Sequence, residues 1–177
     1  MKKLLIIQPH SDDALFSASF ALFLPTIEVQ VLTIENDYKR AEEDRQLYSF
    51  LNIPIHFLDL DLIDDSYYKH FKDFGNKDVN SENANRTLLR TLGRRTMDAI
   101  EYEINSFITR FLKENSGYEI LIPLGIGHPF HLFVREIFER RMGLLHYYRE
   151  FPHSYKKRIC NERVIFIPIL ALKSIGD

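Results

Sequence analysis

The sequence has one cysteine and a formal net charge of only -2, and both scarcities limit what the protein can be. Because Cys160 has no second cysteine to pair with in the chain, an internal disulfide is excluded and a cytoplasmic location is expected. The small net charge leaves no strongly basic field of the kind that binds nucleic acid. Long hydrophobic runs are also missing, since residues 164–172 contain Pro168 and fall short of the roughly 20 residues that span a bilayer. We therefore expect neither nucleic acid nor a membrane span.

The remaining composition is that of an ordinary globular protein, with 45% hydrophobic and 27% charged residues in a chain of 177. A chain of this length can bury a substantial core without disulfides. No repeat, linker or low-complexity segment divides it. We expect a single domain over residues 1–177.

The first strand and the turn after it are the most informative part of the sequence. Residues 4–7 are four consecutive aliphatic side chains, which is typical of a strand buried on both faces of a parallel sheet. The turn that follows has no glycine, although a phosphate-binding turn needs glycines so that backbone N–H groups can approach the ligand. It has His10, Asp12 and Asp13 instead. Adjacent carboxylates attract a cation, so the turn favours a metal over a dinucleotide.

Strand and helix patterns alternate along the rest of the chain, which predicts a parallel sheet with right-handed crossovers. Helix 14–24 is apolar nearly all round and should be buried, and segment 61–95 lacks periodicity and is typical of a binding loop or a surface excursion. An amphipathic helix at 38–51 should bury Leu47, Phe50 and Leu51. The expected fold is a Rossmann-like three-layer α/β/α arrangement with a mostly parallel sheet. The other predicted strands are 27–35, 53–60, 118–124, 144–148 and 164–170, and the other predicted helices are 96–115 and 132–141.

A second polar pair, His128 and His131, follows the predicted fourth strand. In a doubly wound sheet the fourth strand lies beside the first, so the turns after these strands face each other. We therefore expect His10, Asp12 and Asp13 to meet the histidine pair. Five such groups exceed the about three protein ligands of a catalytic zinc, and a carboxylate left over can accept a proton from water.

Residues 10–13, His-Ser-Asp-Asp, and residues 128–131, His-Pro-Phe-His, resemble the motifs of the LmbE/PIG-L family of zinc-dependent deacetylases. The signatures of that family are a His-Pro-Asp-Asp-Glu turn and a His-x-x-His turn. The similarity extends from Lys2 to about Pro152, where residues 147–152 are similar to an aromatic-acid-Pro segment. Family members remove acetyl groups from N-acetylglucosamine-type sugars, and some cleave other amides.

The resemblance implies a role for each candidate residue. His10, Asp13 and His131 would hold Zn²⁺, Asp12 would be the general base that activates water, and His128 would stabilise the oxyanion or protonate the leaving amine. The implied partner is a small amino-sugar or amide substrate. Two alternatives stay open: a hydrolase of a non-sugar amide, and a non-catalytic relative that binds a metal or a sugar.

Three positions depart from the family pattern. Ser11 replaces the usual proline, Ala14 the usual glutamate and Phe130 the usual aspartate. The last two remove carboxylates that could orient ligands, a type of change that costs about 10 to 100-fold in affinity or activity. The chain is also shorter at its C-terminus than most members, so a homo-oligomer that completes the substrate wall is compatible with the pattern.

Overall fold

The computed structural model describes residues 1–35, 38–58, 60, 81–125 and 128–149. The strands in these residues form one parallel sheet. They are β1 Lys2–Gln8, β2 Ile27–Thr33, β3 Ile55–Phe57, β4 Tyr118–Pro123 and β5 His146–Tyr148. Their order across the sheet is β3-β2-β1-β4-β5. The prediction that the fourth strand lies beside the first is confirmed.

The helices pack on both faces of this sheet. They are α1 Asp13–Ser17, α2 Ser19–Leu22, α3 Tyr38–Phe50, α4 Ser81–Thr91, α5 Arg94–Glu114 and α6 Pro129–Glu139. Leu5 and Ile7 of β1 join a core with α4, α5 and α6, while Leu4 and Ile6 join a second core with α1, α2 and α3. The fold is therefore the expected Rossmann-like three-layer α/β/α arrangement. No helix in the described residues is long and apolar enough to cross a membrane.

β1 is the central strand, and its aliphatic run explains why. Residues 4–7 are at most 1% exposed, because helices cover both faces and strands pair with both edges. A stretch that is buried on every side is typically apolar at consecutive positions rather than at alternate ones. The carboxyl end of β1 consequently opens between β2 and β4, where the strand order reverses direction.

The predicted helix 14–24 is instead two short helices that meet at Ala18. The segment is also less buried than expected, since Phe16 and Phe23 are each 60% exposed. Its sheet side consists of small residues, with Ala14, Ala18 and Ala21 all completely buried. Small residues let the backbone lie close to the sheet, and the large rings are left on the outer side.

The face that helix α3 buries is only partly the one predicted, since Leu47 and Leu51 are half-buried. The side chains toward the sheet are Ala41, Asp44 and Tyr48. Phe50, which was expected to be buried, is 83% exposed. Asp44 and Tyr48 face the sheet because both form hydrogen bonds with Gln8 on β1. These buried hydrogen bonds, and not the number of apolar residues alone, determine which face of α3 packs on the sheet.

Part of the segment expected to be irregular is helical. Residues 81–91 form α4, which buries Ala84 and Leu88, four positions apart. The polar residue Thr87 is tolerated on this face because its hydroxyl donates to the Asn83 carbonyl at 2.8 Å. The predicted strand at 164–170 and residues 61–80 lie outside the described residues.

Candidate metal centre

Backbone hydrogen bonds carry the first turn past the end of β1 and hold it against the segment after β2. The N–H of Ile34 donates to the Gln8 carbonyl at 3.0 Å, and the N–H of Glu35 donates to the Pro9 carbonyl at 2.9 Å. These bonds place His10 next to Glu35 at the carboxyl edge of the sheet. The predicted position of the turn, beside the switch point, is confirmed.

The second turn is shaped by Gly125, which follows β4 with φ +77. A Cβ at this residue would lie 2.8 Å from the Cα of Leu132 in α6. Only glycine therefore lets the turn close so tightly on the helix. His128 is then the N-cap residue of α6, without a capping hydrogen bond from its side chain, and His131 lies in the first turn of the helix.

The two turns bring their side chains together, although His10 and His131 are 121 positions apart in the chain. The ligand atoms of His10, His128 and His131 all lie within 4.8 Å of one another. His10 Nδ1 is 2.8 Å from His131 Nε2. Asp13 Oδ2 lies 3.4 Å from the former nitrogen and 3.3 Å from the latter. Four of the five residues predicted for the site thus share one small volume.

The donor set of this cluster fits a divalent metal ion. Imidazole nitrogens with a carboxylate oxygen suit zinc and other transition metals. Tetrahedral zinc with bonds of about 2.0–2.1 Å separates its ligand atoms by about 3.3–3.4 Å, which matches both distances from Asp13. The 2.8 Å gap between His10 and His131 is shorter, so these rings would separate slightly around an ion. The cluster could therefore hold a metal.

The pKa values of His10 and Asp13 are both shifted from their ordinary values. Burial lowers the pKa of His10, but hydrogen bonds to Asp13 and Glu35 and the charges of both carboxylates outweigh burial and raise this pKa to about 10. Burial raises the pKa of Asp13, but the charge of His131 and the hydrogen bond from His10 outweigh it and lower this pKa to about 2. A cation that binds here must displace a proton from His10.

Asp12 lies beside the cluster, and its ligand atoms are not part of the three-histidine group. It precedes α1 with φ 72, a left-handed conformation that strains a residue with a side chain, although Asp tolerates it better than most. Burial and the charge of Asp13 raise the pKa of its half-buried carboxyl. The two adjacent carboxyls therefore differ, because the pKa of Asp12 is raised whereas that of Asp13 is lowered.

Glu35 is a member of the site that sequence reasoning missed. It is 4% exposed, and its Oε2 lies 2.8 Å from His10 Nε2. A signal was present, because an acidic residue ended the strand predicted at 27–35. The carboxyl-edge rule that joined the two histidine motifs would also have placed this carboxylate near His10.

A buried polar network around Gln8, also unpredicted, supports the first turn from the α3 side. The amide nitrogen of Gln8 donates to Thr33 Oγ1 at 2.7 Å and to Asp44 Oδ2 at 2.8 Å. Its oxygen accepts from the N–H of Ala14 at 3.1 Å and from the Tyr48 hydroxyl at 3.3 Å. The network ties the start of α1 to β1, β2 and α3.

Two of the positions at which the sequence departs from the LmbE/PIG-L motifs, Ala14 and Phe130, hold buried apolar side chains. Phe130 is 1% exposed, and its ring centroid lies 5.3 Å from that of His10. Ala14 is fully buried in the core between α1 and the sheet. Acidic residues at these positions would need partners to offset their burial. The side of the cluster next to His10 is therefore formed in part by an apolar ring, Phe130.

Comparisons with known proteins do not assign a family. No model of a known protein family matches the sequence, and no curated protein matches it significantly. Among solved structures, a bulky-bulky ketone specific alcohol dehydrogenase from Comamonas testosteroni is similar at 12% identity with a TM-score of 0.32. That similarity covers 83% of this chain and 71% of the dehydrogenase chain. A likeness this weak says nothing about function.

Proposed function

We propose that this protein is a zinc-dependent hydrolase that removes an acetyl or other acyl group from an N-acetylglucosamine-type substrate. The observation that carries the proposal is the convergence of His10, His128 and His131, with Asp13, at the carboxyl edge of the sheet. The order and spacing of the two motifs, which resemble those of LmbE/PIG-L deacetylases, supply the substrate class.

In this proposal His10, Asp13 and His131 hold the ion. The distances from Asp13 to both imidazoles support its choice as the oxygen ligand. When bound, the metal would polarise the amide carbonyl and lower the pKa of a water molecule. The three residues supply two neutral nitrogens and one negative charge, which leaves a net positive centre to attract the carbonyl oxygen.

Asp12 and His128 divide the proton transfers. Asp12 accepts the proton of the attacking water, and its raised pKa brings it closer to the working pH at which a base is most effective. His128, half-buried with its ring centroid 4.8 Å from that of His10, donates a proton to the departing amine. An amine leaves readily only once it is protonated, so the second transfer completes the cleavage.

Asp12→Asn tests the assigned base. Asparagine has nearly the same shape and tolerates the left-handed backbone at this position, so the fold and the metal should be retained. We expect about one zinc per chain by elemental analysis and a loss of about 10² to 10⁴-fold in kcat for an N-acetylglucosamine substrate. The exposed Asp98→Asn on α5 is the matched control and should keep full activity. Unchanged turnover in Asp12→Asn would show that the base is another group.

Two further variants separate the ligand from the proton donor. Asp13→Asn should lose zinc, whereas His128→Gln should keep zinc and lose turnover. The reverse result would exchange their roles.

A panel of substrates that varies the sugar and the acyl group tests the substrate class. A preference for sugar-free amides would contradict it, and a zinc-loaded protein without any hydrolysis would favour a non-catalytic role.

A further inference from the structure

We infer that Glu35 is a positioning residue for His10: it holds the Nε2–H of His10 and thereby turns Nδ1 toward the metal. The inference rests on the proposed metal centre and goes beyond it, because neither motif contains Glu35.

The two nitrogens of His10 face different partners. Nε2 lies 2.8 Å from Glu35 Oε2. Nδ1 lies 2.8 Å from His131 Nε2 and 3.4 Å from Asp13 Oδ2, on the side where the ligand atoms converge. The two nitrogens of an imidazole point away from each other, so only Nδ1 can serve as the ligand in this orientation. A carboxylate accepts but does not donate, and it therefore selects the tautomer that carries the proton on Nε2.

Glu35 is itself held in place. Its N–H donates to the carbonyl of Pro9, the residue before His10, at 2.9 Å. The adjacent bond from Ile34 to the Gln8 carbonyl, at 3.0 Å, continues the parallel pairing of the strands. The side chain of Glu35 is 4% exposed, so water competes little for its carboxylate. The acceptor is thus fixed with respect to the ring that it orients.

A carboxylate behind a ligating histidine has known consequences. It fixes the orientation of the ring and raises the basicity of the ligating nitrogen, and its loss costs about 10 to 100-fold in metal affinity. Glu35 supplies such a carboxylate from the segment after β2, although the glutamate and aspartate of the LmbE/PIG-L motifs are absent here. We expect the Glu35 carboxylate to contribute to zinc affinity on this scale.

The test is zinc affinity, measured by competition with a chromophoric chelator. Glu35→Gln keeps an acceptor but loses the charge, and we expect zinc to bind about tenfold more weakly. Glu35→Ala removes the acceptor as well and should approach a 100-fold loss. Glu119→Gln is the matched control, because Glu119 also pairs with a histidine on the sheet, His146. Its zinc affinity should equal that of the unsubstituted protein.

A second measurement needs no substitution. In zinc-loaded protein, nitrogen-15 NMR of the histidines should show His10 bound through Nδ1 and protonated on Nε2. Ligation through Nε2, or equal zinc affinity in Glu35→Gln and the unsubstituted protein, would overturn the inference while leaving the metal centre intact. An unsubstituted protein that binds no zinc would overturn both the centre and the role of Glu35.

Discussion

Replacing Gln8 by Met removes a buried amide while nearly preserving its shape, and we expect a large loss of stability. Gln8 makes four side-chain hydrogen bonds: two donated to Thr33 and Asp44, and two accepted from Ala14 and Tyr48. Methionine can replace none of them. Its thioether fills the space, so the cost arises from unpaired polar groups rather than from a cavity.

The size of the effect follows from these partners. The three bonds to neutral groups contribute about 1 kcal/mol each, and the bond to the Asp44 carboxylate about 1.5–3 kcal/mol. The hydroxyls of Thr33 and Tyr48 can rotate toward other acceptors, which recovers part of the loss. We therefore expect Gln8→Met to lower the free energy of unfolding by about 3–5 kcal/mol at pH 8.

The loss should depend on pH because of Asp44. Burial raises the pKa of Asp44 from 3.8 to about 6, and the hydrogen bond from Gln8 opposes that rise. The folded state therefore binds more protons than the unfolded state between these values, and stability falls as pH rises through this window. Without the Gln8 donor, the pKa of Asp44 in the folded state rises further, so the free energy of unfolding continues to fall above pH 6. Gln8→Met should thus cost about 1 kcal/mol more at pH 8 than at pH 5.

Urea denaturation at pH 5 and pH 8 measures both quantities. Gln30→Met is the matched control, since Gln30 bonds to Tyr118 and His56 on the opposite face of the sheet. It should cost only about 1–2 kcal/mol and leave zinc affinity unchanged. Gln8→Met should also weaken zinc binding, because the N–H of Ala14 beside Asp13 loses its acceptor. A cost below about 1 kcal/mol at both pH values would refute the reasoning.

Two further predictions concern the second turn and the charge of the site. Gly125→Ala should cost more than about 2 kcal/mol by thermal denaturation, because it combines φ +77 with a Cβ only 2.8 Å from Leu132 Cα. Gly117→Ala, at φ +85 with nothing within 4 Å, should cost only about 1–2 kcal/mol, and equal losses would contradict the steric argument. Because His10 has a pKa of about 10 in the metal-free chain, zinc binding at pH 8 should release about one proton, measured in weakly buffered solution. Binding without proton release would show that His10 is already neutral.

The outline of the site could be predicted because it depends on local pattern and general topology. The aliphatic run 4–7 indicated a central strand, and strand-helix alternation then placed the fourth strand beside the first. Parallel strands end at the same edge, so the turns bearing His10 and His131 had to approach each other. No side-chain distance was needed for this step.

Other features were missed because they depend on partners distant in sequence. The predicted inner face of α3 was wrong at Phe50 and omitted Asp44 and Tyr48. These two side chains turn inward to meet Gln8, a contact that helical periodicity cannot reveal. Helix α4 was missed because few of its residues are apolar, and it packs against α6, which lies far along the chain.

The sequence alone determined the layered parallel fold and a charged, glycine-free turn at the end of its central strand, because burial on two faces and the sign of charge are properties of adjacent residues. Only the tertiary structure decided that Glu35 stands behind His10 and that Gln8 braces the start of α1. A hydrogen bond requires donor and acceptor atoms about 3 Å apart in space, and the separation of two residues along the sequence does not predict that distance.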